Sequence, residues 1–135
     1  MNNILTNYHK GVIKDCYNSM TNKEFIEDTI DYYCSDLNRI ALFDDLPMYK
    51  INGKSCAIGR WIKPDHYCND MENFNHVRLL LKMYPDCLMD EVKNISIEVL
   101  EIMQWIHDAV LKKYYSPEKN RLHAEFYLEN CKFNI

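Results

Sequence analysis

Ser96-Ile97-Glu98-Val99-Leu100-Glu101-Ile102-Met103-Gln104-Trp105-Ile106-His107-Asp108-Ala109-Val110-Leu111 is the stretch that sets the fold class. Val99, Met103, Ile106 and Val110 recur at the helical period, and Leu100, Ile102, Ala109 and Leu111 widen that seam into a broad apolar face. Ser96 stands where an N-cap belongs, because a side-chain oxygen there accepts from an amide the first turn leaves without a partner. Glu98, Glu101, Gln104, His107 and Asp108 interrupt the apolar run, so it falls short of the roughly 18 consecutive apolar residues that a bilayer crossing needs. The stretch predicts the central helix of a mainly helical, soluble protein.

Outward from it, the punctuation marks further helices. Upstream, Phe74, Val77, Leu80, Leu81 and Tyr84 keep helical spacing until Pro85 ends the run. Downstream, Ser116-Pro117 is a cap followed by the proline favoured at the first helical position, and it opens a last helix through Leu122, Phe126 and Leu128. Near the start of the chain, Leu5, Tyr8, Val12, Cys16 and Met20 predict a helix over residues 2–20, weakened by Gly11. Thr21-Asn22-Lys23-Glu24 reads as a capping box for a second helix, with Phe25, Ile26, Ile30, Tyr33, Leu37 and Ile40 on its apolar stripe to about residue 42 and Asp28, Asp31 and Asp36 off it. Asp44-Asp45-Leu46-Pro47 is read as a loop. Met48-Tyr49-Lys50-Ile51 before Asn52-Gly53 predicts a strand and a tight hairpin turn. Lys54 to Ile62 reads either as the returning strand or as a short helix capped by Ser55. The expectation is one domain over 1–135, mainly α, of about five helices with a small inserted β-hairpin: N-terminal helices in 1–45, hairpin and motif in 46–75, C-terminal helices in 76–135.

Composition agrees. The 135 residues are 47% hydrophobic and 27% charged, with 3 Gly and 4 Pro, as in a folded domain with its own core. Sixteen basic residues against twenty acidic ones give a net charge of −4 and a pI near 5.7. There is thus no basic field to hold a phosphate backbone, and nucleic acid is not an expected partner. Lys112-Lys113-Tyr114-Tyr115 reads as a cation-rich helix end rather than a phosphate track. Residues 1–20 carry Lys10, Lys14 and Asp15 and no signal-peptide core, so a cytoplasmic location without a membrane segment is expected. The six cysteines are then expected as thiols.

The segment from Asn52 to Glu72 reads as a specified site rather than as packing. Tyr49, Gly53, Cys56, Ala57, Gly59, Ile62, Asp65, Tyr67, Met71 and Glu72, followed by Gln104, Ile106, His107 and Asp108, resemble the signature of a family of small bacterial and phage proteins that has no established activity. That signature runs Tyr, Arg or Lys, a Gly-containing turn, Cys-Ala-x-Gly, an Ile-Pro-Asp-like stretch, Tyr, Met or Leu before Glu, and later Gln-x-Ile-His-Asp. The likeness covers about the middle half of the chain; Lys63 interrupts the pattern before its proline, and the first 45 residues fall outside it. It implies a small cytosolic protein carried by phages and mobile elements.

Four chemistries are open to these residues. Cys56, after a Gly-containing turn, would be a nucleophile with His107 as base and Asp108 as its orienter, the order of a thiol-dependent hydrolase. Alternatively Cys56-Ala57 is a small buried pair that lets the hairpin pack on the central helix, with His107 as a tie; neighbouring helical residues point about 100° apart, so His107 and Asp108 are not expected to meet. Cys56, His66, Cys68 and His76 offer zinc donors at poor spacing, and the His107-Asp108 pair lacks the further ligands of a metal-dependent phosphohydrolase, so no metal or other cofactor is expected. Tyr49, Arg60, Trp61, Asp65 and Tyr67 would form the aromatic wall of a binding surface, or else core. The favoured reading is a non-enzymatic protein that binds a host or defence factor, protein or small ligand, and forms a homo-oligomer; thiol-dependent hydrolysis is the alternative.

Overall fold

Thr21 opens the first described helix as its sequence predicts. Its hydroxyl accepts from the Glu24 amide at 3.1 Å while the Glu24 carboxylate accepts from the Thr21 amide at 2.9 Å, a reciprocal capping box. The computed structural model of the chain describes residues 19–43, 46–47, 50–51, 53–66 and 77–131. The helix expected over residues 2–20 lies almost wholly outside them.

Four α-helices stand among the described residues: α1 (Asn22–Ser35), α2 (Val77–Met83), α3 (Ile97–Trp105) and α4 (Pro117–Glu129). Helix α1 stops at Ser35, well before residue 42. There the Asp36 carboxylate accepts from the Asn38 amide at 3.1 Å and Arg39 caps the Tyr32 carbonyl at 3.1 Å. These local bonds turn Leu37–Arg39 into a 3₁₀ turn, the competition that Asp wins against helix continuation. Asp28, expected on the solvent side, is fully buried.

The chain then forms two short antiparallel pairs, β1 (Leu42–Phe43) with β2 (Leu46–Pro47) and β3 (Lys50–Ile51) with β4 (Lys54–Ser55). Leu46–Pro47 is therefore paired backbone rather than loop. Between β3 and β4, Gly53 sits at φ +76°, which a side chain would disfavour. Beyond β4 the backbone turns at Cys56–Ile58 into a three-residue 3₁₀ helix, Gly59–Trp61, whose cap position is Ile58 and not Ser55. Ile62 bridges Leu88, and Lys63 donates to the Cys87 carbonyl at 2.8 Å, fastening this arm to the segment after α2.

Ser96 caps α3, accepting from the Val99 amide at 3.3 Å. Past Trp105 the helix widens into a π-turn, Ile106–Val110, closed by the Leu111 amide on the Ile106 carbonyl at 3.0 Å. Helix α3 packs on α1 and α2, its π-turn on α4, and α4 on α1. Val99, Leu100, Met103 and Ile106 are buried there in one core cluster with Phe25, Tyr33 and Ile58. Ser116 caps α4 with Pro117 at its first position. That helix turns Asn120 and Ala124 inward and leaves Leu122 and Phe126 exposed. No described helix is long and apolar enough to cross a membrane.

Candidate functional site

The π-turn brings the sequence motif together with the arm that precedes it. His107, 0% exposed, accepts at Nε2 from the Ala41 amide at 3.0 Å. A nitrogen that accepts carries no proton, so the ring proton lies on Nδ1, where it meets Asp108 Oδ1 at 2.7 Å. The expectation that these neighbours would not meet is overturned. In a π-turn successive residues rotate less than in an α-helix, and Gln104, one turn back, draws the Asp108 carboxylate over the turn with Nε2 at 3.0 and 3.2 Å from its oxygens.

Gln104 also binds the motif. Its Oε1 accepts from the Ile58 amide at 3.1 Å, tying the turn after β4 to α3. Tyr33 reaches the same arm from α1, donating its hydroxyl to the Ser55 carbonyl, and its ring meets His107 edge-on with centroids 4.9 Å apart. Burial pushes the Tyr33 phenol well above its ordinary value, with Cys56 adding to the shift.

Cys56 lies under this network, fully buried. Its sulfur accepts from the Gly59 amide at 3.3 Å, and burial pushes the thiol up to about 12 against the hydrogen bond from Gly59. At neutral pH it is a protonated thiol, a poor nucleophile. The lone pair His107 would use as a base is taken by Ala41. The three residues are thus placed as a packed polar tie: a His-Asp pair closed at both ends and a capped thiol.

The aromatic wall is distributed differently from its expectation. Arg60 turns inward and meets the Asp28 carboxylate at 3.0 Å, with side chains 9% and 0% exposed. Its guanidinium lies 3.6 Å from the centroid of the Tyr32 ring, which also takes Arg39 at 4.4 Å, and 5.1 Å from that of Trp61. Trp61 is buried, Asp65 is exposed, and Tyr49 and Tyr67 lie outside the described residues. Cys68 and His76 lie outside them too, and no group of three or more metal-ligating side chains comes together among those described. His66 instead meets Asp86 at 3.1 Å. Cys34, Cys56, Cys87 and Cys131 are free thiols.

Asp28 and Asn120 went unsuspected. Asn120, fully buried, accepts from the Lys112 amide at 2.8 Å and donates to the Lys112 and Ser116 carbonyls at 2.9 and 3.2 Å. An Asp or Asn inside a helical pattern is ordinarily solvated; the partner of Asp28 stands 32 positions away, and the bond from Asn120 to the Ser116 carbonyl one turn back does not by itself signal burial. In comparisons with family models, with curated proteins and with solved structures, nothing matches this chain.

Proposed function

We propose that the chain is a non-enzymatic cytoplasmic protein that acts by binding a macromolecular partner, and that the Cys56, Gln104, His107 and Asp108 group fastens the motif arm to the helices. The observation that carries this reading is the saturation of that group. His107 spends one nitrogen on Ala41 and the other on Asp108, both Asp108 oxygens lie within hydrogen-bond reach of Gln104 Nε2, and the Cys56 sulfur is closed under Gly59. A catalytic dyad needs a free lone pair and a reachable thiolate. Trp105 and Tyr114, large side chains left exposed, are residue types that anchor protein interfaces. That the partner is a host or defence factor follows only from the likeness of the motif to phage and mobile-element proteins.

Alkylation of the native protein, read peptide by peptide, tests this. Cys131, partly exposed, is the internal control, and Cys56 is expected to stay unmodified at neutral pH until denaturant opens the fold. Selective modification of Cys56, with an apparent pKa well below about 8.5, would overturn the reading in favour of a thiol-dependent hydrolase, and loss of that reactivity in His107→Ala would identify the base.

A further inference from the structure

Helix α4 carries a second pattern that its packing leaves unused. Asn120 and Ala124 face the core, and at about 100° per residue Leu122 and Phe126 fall on the opposite side, where they are 64% and 68% exposed. Lys119 and Glu129, both exposed, extend the same strip at either end. The four positions are spaced three, four and three, the seam of a two-helix coiled pairing.

The strip is complementary to itself only when reversed. Two α4 helices laid antiparallel about a two-fold axis level with Ala124 set Leu122 of each against Phe126 of the other, and Lys119 of each against Glu129 of the other. Apolar layers then fill the centre and opposite charges close both ends, the arrangement an isologous interface requires. The Lys119 ammonium is held at its end of the strip by the Tyr115 ring, 4.1 Å from its centroid. A parallel arrangement in register would instead put Lys119 on Lys119 and Glu129 on Glu129.

We infer that this face of α4 is a docking surface for a second copy of the chain, paired antiparallel through Leu122 and Phe126 and oriented by Lys119 and Glu129. The area of a single helix strip is small, so the dimer is a weak and reversible one. It is independent of the reading of Cys56: either can fail alone.

Sedimentation velocity over a concentration series, with the full chain, tests it. The wild type is expected to show a concentration-dependent monomer–dimer equilibrium. Lys119→Glu and Glu129→Lys should each weaken it about tenfold, since each reversal removes two exposed ion pairs and sets like charges together. The double variant, with the charges exchanged, should return to near wild-type affinity, and Phe126→Glu should leave only monomer. Circular dichroism checks that each variant keeps its helices, as substitutions on an exposed face should. A wild type that stays monomeric at every concentration overturns the proposal. So does a dimer indifferent to Phe126→Glu, or a double variant no better than the single ones.

Discussion

Asp28 and Arg60 stand 32 positions apart and are joined at 3.0 Å in a place almost closed to water. A carboxylate taken out of water costs several kcal/mol, which a hydrogen-bonded cation offsets only while both partners stay in place. Asp28→Ala is therefore expected to destabilise the fold by about 3 kcal/mol or more, because it leaves the Arg60 guanidinium buried without its carboxylate. Replacing both residues with leucine should recover most of that loss, since the position is already lined by Tyr32 and Trp61. Urea denaturation of the single and double variants measures this; equal losses in both would show that the charges matter less than the volume they fill.

At the level of the element, helix ends decide more than helix middles. Thr21, Ser96 and Ser116 each accept from the amide three residues on, the local geometry that makes these starts readable without tertiary knowledge. The connection into α4 is held differently, by one buried amide side chain that closes the turn from Lys112 to Ser116. Asn120→Ala should lower stability by about 2 kcal/mol, because the Lys112 amide loses its partner and the Lys112 carbonyl keeps only the Tyr115 amide. Hydrogen exchange should show the loss first in the Lys112–Ser116 turn; protection unchanged there would mean that the turn is held by its own backbone.

For the molecule as a whole, two buried acids make stability depend on alkaline pH. The Cys56 thiol moves from an ordinary 9.0 to about 12 on folding, and burial raises the Tyr33 phenol well above 10.0. In each case the folded state holds its proton where the unfolded chain has released it, so unfolding is favoured as pH rises. Stability should be level near neutrality and fall from about pH 9 towards 12, and the fall should be shallower in Cys56→Ala. Urea midpoints at a series of pH values measure it, and a profile flat through pH 11 would contradict the burial of both groups.

The mainly helical character, the starts of α1, α3 and α4 and the end of α2 near Pro85 were all legible in the chain, because each depends on residues within about one helical turn of one another. The grouping of Cys56, Gln104, His107 and Asp108 came from a resemblance and not from periodicity. What they do was not legible, since a histidine's role depends on what occupies its second nitrogen, and that partner is the amide of Ala41, 66 positions away. Separation in sequence also hid the burial of Asp28 and the inward turn of Arg60, 32 positions apart, while the burial of Asn120 and the exposure of Leu122 and Phe126 depend on which face of α4 meets the core. Periodicity reports which residues share a face of a helix; whether that face meets core or water is decided only when the other helices have taken their places.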